Sequence, residues 1–156
     1  MEKIILVNPP LSFEERYGKL SAGGSHLAPI GLANLAAVIR ENNFDPKIID
    51  ASTLNLNYEE TVDRIMSYSP KYVGITAVTI SIHSAAKIAK MLRERNKDII
   101  TIIGGPHLTS IPMKTIELFP EFDIGVIGEG EVTIIELLNA YENNMNIEKI
   151  PGLIIR

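Results

Sequence analysis

Apolar residues along this chain follow two alternating patterns. Short unbroken apolar runs end in turn residues: Lys3 to Asn8, Pro46 to Asp50, Tyr72 to Thr76, Ile99 to Ile103 and Phe122 to Ile127. The continuous run Lys3 to Asn8 reads as a strand buried on both faces, Ile99 to Ile103 as a buried one, and the others as further short strands. Between them, apolar positions recur with helical spacing. Such segments run from Pro29 to about Asn43, from Tyr58 to Ser67 behind Asn57 as cap, and from Ile82 to about Arg95. A shorter one spans Pro112 to Phe119, and the last runs from Glu129 to about Asn143. The tail Ile150 to Arg156 is one more extended segment.

Five rounds of strand then helix predict a three-layer α/β domain, flavodoxin-like and Rossmann-like. It has a five-stranded parallel sheet in the order 2-1-3-4-5 and right-handed crossovers. Such sheets bind ligands outside the carboxyl ends of the strands, where the strand order reverses. Here that point lies between strands one and three, lined by the loops after strands one, three, four and five. The connection from Pro9 to Leu27, with Gly18, Ser21, Gly23, Gly24 and Ser25, is long for a strand-to-helix link. It reads equally as a functional loop or a plain insertion. Small residues Gly31, Ala33 and Ala36 on the helix after it allow close packing on the sheet.

Composition narrows the chemistry. The 156 residues suit one domain, residues 1–156. The chain carries a formal net charge of −4, and its basic residues are scattered, which argues against a nucleic-acid partner. It has no cysteine, so disulfides, thiolate nucleophiles and iron–sulfur ligation on this chain are excluded. No signal peptide or membrane span is visible, and a cytoplasmic location is expected.

Three strand ends carry chemistry. The first is Gly104-Gly105-Pro106-His107-Leu108-Thr109, where two glycines let backbone approach a large ligand. The second is Thr76-Ala77-Val78-Thr79-Ile80-Ser81, with three hydroxyls that can bond a ligand or cap the next helix. The third is Gly128-Glu129-Gly130-Glu131. His26, His83 and His107 are isolated from one another in sequence, so His107 is assigned a positioning or structural role and no metal ligand is assigned. Asp50 can hold a ribose in dinucleotide folds, but no glycine fingerprint follows the first strand, so a turn role is preferred. Walker, phospho-acceptor and flavin-phosphate loops are also missing.

The ordered set of motifs resembles one family. Asn8-Pro9-Pro10, Pro29 to Ala37, Asp50-Ala51, Val73 to Thr76, Gly104 to Thr109, Phe122-Asp123, Gly128 to Glu131 and Ile150 to Leu153 are similar, in order and spacing, to the cobalamin (vitamin B12)-binding domains that precede radical S-adenosylmethionine (SAM) domains. The resemblance implies a corrin held at the strand-end edge, with its nucleotide tail reaching down beside the sheet. It carries over Thr76, Thr79 and Ser81, then Gly104, Gly105 and Pro106, then Gly128, Glu129 and Gly130 as cofactor-binding residues. Asn8 and Pro10 would border the corrin.

Cobalamin-dependent mutases and methionine synthase carry Asp-x-His-x-x-Gly after the first strand, and that His ligates cobalt. Asn8 to Phe13 contains no His. The resemblance therefore implies cobalamin held base-off with no protein histidine on cobalt. It also implies a radical SAM domain in cis, outside this chain, that carries the SAM and the [4Fe-4S] cluster. This chain then looks like an excised N-terminal domain, or a stand-alone version, of a methyltransferase or related enzyme, not catalytic alone. The rival is a degenerate scaffold or lid domain that binds no cobalamin; a flavin or nucleotide binder is a weaker third.

Overall fold

The structure is a computed structural model that describes residues 2–23 and 27–156. Met1, Gly24, Ser25 and His26 lie outside the described residues, so the sequence readings of Gly24, Ser25 and His26 stay untested by it. The strands are β1 (Lys3–Asn8), β2 (Asp45–Asp50), β3 (Tyr72–Thr76), β4 (Ile100–Gly104), β5 (Ile124–Val126) and β6 (Leu153–Ile155). The helices are α1 (Phe13–Tyr17), α2 (Ile30–Glu41), α3 (Tyr58–Met66), α4 (Ile82–Arg95), α5 (Pro106–Ser110), α6 (Pro112–Leu118) and α7 (Glu131–Glu142).

The sheet runs β2-β1-β3-β4-β5-β6. The order 2-1-3-4-5 and the parallel pairing of those five strands are as expected. The strand count is corrected from five to six. The tail turns back through Pro151-Gly152 and pairs antiparallel on the edge of β5, Gly125 opposite Ile154. Gly125 makes room for that strand: a Cβ there would lie 2.5 Å from Ile154 Cγ2 and 3.0 Å from Leu108 Cδ2.

Strand residues alternate between two cores, as the pleat dictates. Ile5, Val7, Val73, Ile75 and Ile103 pack under α3 and α4. Ile4, Leu6, Tyr72, Ile102, Ile124 and Val126 pack under α2 and α7. Each fully buried Ile or Leu contributes about 1.5–3 kcal/mol, so the unbroken apolar strands pin the register. The far end of α7 is anchored away from the carboxyl edge, where Tyr72 Oη and Lys71 Nζ donate to Glu142 Oε1 at 2.9 and 2.7 Å. Burial pushes the Tyr72 phenol up to about 12, which keeps it a donor.

Two short helices were not expected. α1 forms inside the long connection because Ser12 and Glu15 make a reciprocal cap: Ser12 Oγ accepts from Glu15 N, and Glu15 takes the Ser12 amide at 2.8 Å. A 3-10 segment, Gly18–Gly23, follows it. α5 starts straight after β4, with Pro106 at its first turn.

The start of β5 is held by Asp123. Its Oδ2 accepts from the buried Thr101 amide and from Thr101 Oγ1, both at 2.8 Å, and Arg93 pairs with its Oδ1. Asp123→Ala leaves the Thr101 amide without an acceptor. A loss of about 1–3 kcal/mol is expected, read from urea midpoints.

Candidate functional site

A cleft of about 680 Å³ opens at the carboxyl edge of the sheet. Its floor is the α2/α7 face of the sheet: Leu6 of β1, Gly74 of β3, Ile102 of β4 and Val126 of β5. One wall is α2 and the residues before it, with Pro29, Gly31, Leu32 and Leu35; Ile134 and Glu131 of α7 close the other. Its rim is made by the strand ends and the turns that follow: Asn8 ending β1, Thr76 ending β3, Gly104 ending β4 with Gly105, Pro106 and Thr109 beyond it, and Gly128, Glu129 and Gly130 after β5. Arg16 of α1 also lines it. The interior is apolar and the rim polar.

The position follows from topology. The chain leaves β1 toward one face of the sheet, where α2 lies, and leaves β3 toward the other, where α4 lies. Two diverging loops leave a crevice between them. Gly74 deepens it from below. A Cβ at Gly74 would lie 3.1 Å from Leu6 Cδ2, so a larger residue would crowd the floor.

The three turns are tied together. Ala77 N donates to Gly104 O at 3.0 Å, and His107 N donates to Ala77 O at 3.1 Å. His107 Nδ1 pairs with Thr79 Oγ1 at 3.2 Å. Gly128 N donates to Thr109 Oγ1 at 3.0 Å. Thus α5, five residues long, joins the β3, β4 and β5 turns.

Eight of the eleven residues singled out by sequence line the cleft: Asn8, Thr76, Gly104, Gly105, Pro106, Gly128, Glu129 and Gly130. Three are placed elsewhere. Pro10 lines a separate, smaller pocket of about 170 Å³ with Leu11, Ser12 and Tyr58. Thr79 faces His107. Ser81 is buried; its Oγ accepts from Val78 N at 3.1 Å and donates to Val78 O. The three hydroxyls of the β3 turn thus separate into one at the cleft, one on a histidine and one cap. Gly31 lines the cleft and Ala33 is exposed, so of the three small residues of α2 expected to pack on the sheet only Ala36 is buried.

The two glycines at the end of β4 differ in what requires them. Gly105 has φ +97, and a Cβ there would meet Thr76 Oγ1 at 2.6 Å and Ala77 O at 2.9 Å. Its smallness serves the crossing of one turn over another within the protein. Gly104 has ordinary φ, and a Cβ there meets only Val126 O, at 3.7 Å. Its open side is the one that faces the cleft. Sequence reading missed Gly74, Leu32, Leu35, Arg16 and Thr109 as lining residues. The signal for Gly74 was a lone glycine inside a strand; the leucines were indistinguishable from core.

The fold defines a Rossmann-like α/β domain with a strand-end cleft. The model of the B12 binding domain family matches residues 20–138, and the chain belongs to that family. It is 36% identical over 151 residues to "Uncharacterized methyltransferase PH0819" of Pyrococcus horikoshii, covering 97% of this chain and 32% of that protein. It is 31% identical over 126 residues to an anaerobic magnesium-protoporphyrin IX monomethyl ester cyclase of Rubrivivax gelatinosus, covering 78% of this chain and 23% of the relative. The chain therefore spans about a third or less of the curated relatives it matches. Among solved structures, the radical S-adenosylmethionine methyltransferase TsrM of Kitasatospora setae, with cobalamin and [4Fe-4S] cluster bound, superposes with a TM-score of 0.80. That match has 23% identity and covers 99% of this chain and 29% of TsrM. Among the described residues, no group of three or more His, Asp or Glu is placed to hold a metal ion, and no helix is long and apolar enough to cross a membrane.

Two outcomes test this geometry. Gly105→Ala should destabilise the protein by about 1–3 kcal/mol through its φ and its contact with Thr76, while Gly104→Ala should leave the melting temperature nearly unchanged. The second concerns His107, which is buried with Nε2 unpartnered. Burial first, and His83 second, hold its pKa below the ordinary histidine value. The unfolded chain then binds the proton more readily than the native chain. Stability is full above about pH 6.5, falls as pH drops below it, and levels once native His107 is protonated. Denaturant midpoints measured from about pH 8 to about pH 5 should decline, and His107→Gln should flatten that decline.

Proposed function

We propose that this chain is the cobalamin-holding module of a radical SAM enzyme, a methyltransferase or a related enzyme, with the radical SAM domain in cis and a cytoplasmic setting. The observation that carries the reading is the two-zone cleft. An apolar slot between the sheet and α2 suits a flat nucleotide base. A rim of backbone, hydroxyl and amide groups suits the amide-bearing edge of a corrin. The residues present fit the cofactor: Gly104 offers an open backbone face, Gly74 keeps the floor low, and Asn8, Thr76 and Thr109 supply polar atoms at the rim.

When bound, cobalamin supplies a cobalt centre able to accept and deliver a methyl group. The residues of this chain bind and orient it. Leu6, Leu32, Leu35, Ile102 and Ile134 exclude water from the slot. The tied turns after β3, β4 and β5 hold the rim rigid. The segment Asn8 to Phe13 holds no histidine where mutase-type domains place their cobalt ligand, which supports base-off binding without a protein histidine on cobalt. SAM and the [4Fe-4S] cluster belong to the proposed partner domain, and the module alone turns nothing over.

The test is direct. The protein is mixed with hydroxocobalamin, desalted, and its visible spectrum recorded. A retained corrin with the spectrum of base-off, histidine-free cobalt is expected. Gly104→Val should weaken retention at least about tenfold with the fold intact, since its Cβ has room inside the protein. Loss of all corrin on desalting would overturn the reading in favour of a scaffold domain. A spectrum of histidine-ligated cobalt would overturn the ligation claim alone.

A further inference from the structure

Asp50 is the acidic residue that the sequence flagged and the cleft did not absorb. It ends β2 directly opposite Asn8, the last pair of the β1–β2 register. Asn8 Nδ2 donates to Asp50 Oδ1 at 2.8 Å. The same oxygen accepts from Thr53 N at 3.2 Å, which fixes the carboxylate in the turn. Ala51 N donates to Asn8 O at 3.0 Å, closing the two strand ends together. Asn8 lines the cleft and Asp50 does not.

An ionised carboxylate can only accept, so it fixes which end of the Asn8 amide turns toward it. The flipped amide would set Asn8 Oδ1 against Asp50 Oδ1, two acceptors with no hydrogen between them. One Nδ2 hydrogen is therefore committed to Asp50, and Oδ1 is the acceptor end left for a ligand. We infer that Asp50 is a positioning residue that locks Asn8 as a hydrogen-bond acceptor at the cleft rim, selecting a ligand edge that carries amide N–H groups over one that carries carboxylates. The inference rests on the corrin reading above, because the peripheral side chains of cobalamin are primary amides and those of its unamidated precursors are acids.

The acceptor favours an amide edge by a hydrogen bond and disfavours a carboxylate by repulsion. A charge-bearing mismatch at a partly buried site is large enough to read as about tenfold in affinity. Without Asp50 the Asn8 amide is free to flip. It then donates to a carboxylate as readily as it accepts from an amide, and the preference is lost.

The experiment measures binding of hydroxocobalamin, diaquacobinamide and diaquacobyrinic acid to the wild type, Asp50→Asn, Asn8→Ala and the double variant, with thermal melts beside them. Cobinamide and cobyrinic acid both lack the nucleotide, and they differ in amide against carboxylate edges. The wild type should prefer cobinamide, and Asp50→Asn should narrow that preference about fivefold to tenfold. Because Asp50 acts through Asn8, adding Asp50→Asn to Asn8→Ala should change the preference no further. Equal weakening of both corrinoids by Asp50→Asn, with the ratio unmoved, marks a merely structural role and overturns the inference while leaving the corrin reading intact. If Asp50→Asn does not fold, an unchanged ratio in Asn8→Ala overturns it in the same way. Failure of the wild type to bind hydroxocobalamin overturns both readings together.

Discussion

The crossing of the β4 turn over the end of β3 is the contact on which the carboxyl edge depends. Gly105 passes so close to Thr76 and Ala77 that no side chain fits between them. That approach lets Ala77 N reach Gly104 O and His107 N reach Ala77 O. The two bonds carry the chain from one strand end to the next and set the start of α5. From α5, Thr109 reaches Gly128 and His107 reaches Thr79. A glycine that looks reserved for a ligand is thus occupied by the protein itself. The smallness that remains for a ligand is at Gly104.

This division of labour explains why the site is a cleft and not a flat edge. The turns are stapled to each other on one side of the sheet end, under α5. On the other side α2 and α7 come together over the sheet, and the cleft lies between α2 and the floor at Gly74. A parallel sheet with its order reversed between β1 and β3 opens there in any case. The chain widens the gap by withholding a side chain at Gly74 and by ending its walls in leucine, isoleucine and proline. Polar groups gather at the rim, where strand ends expose backbone and turn side chains, with Glu131 and Arg16 added from α7 and α1. A ligand with an apolar flat part and a polar edge meets both zones at once.

Much of the fold was legible because burial on both faces marks β1, β3, β4 and β5; β2, an edge strand with Lys47 and Ile48 exposed, showed only as a short run between turn residues. The five parallel strands and helices α2, α3, α4 and α7 announce themselves as runs and periods. α1 and α5 do not, since five residues are too few for a period to show. β6 was legible as extended but not as a sheet member, because its partner is an edge and its room is a glycine on another strand. The site was legible to the level of which loop carries a residue. Direction was not: Pro10, Thr79 and Ser81 sit on the right loops and face away, because a loop places side chains by its own turns and caps. Leu32 and Leu35 were hidden for the opposite reason, since a cofactor wall and a core stripe are written in the same residues.

Asn8 and Asp50 show how such a site extends past its lining. Sequence places them forty-two residues apart at the ends of two runs, Asp50 with a bland reading as a turn former and Asn8 as a residue bordering the corrin. Register sets them side by side, and one carboxylate then decides the polarity of an amide that faces the cleft. The acid need not touch a ligand to matter to it. A neutral pair would have left the amide free to present either end, and the rim would have told amide from acid less sharply. An acceptor held by a charge behind it is a stiff recognition element built from two residues and one strand pairing. It can exist only where β1 and β2 end in step, so the register that buries Ile4 and Leu6 also sets the chemistry of the rim.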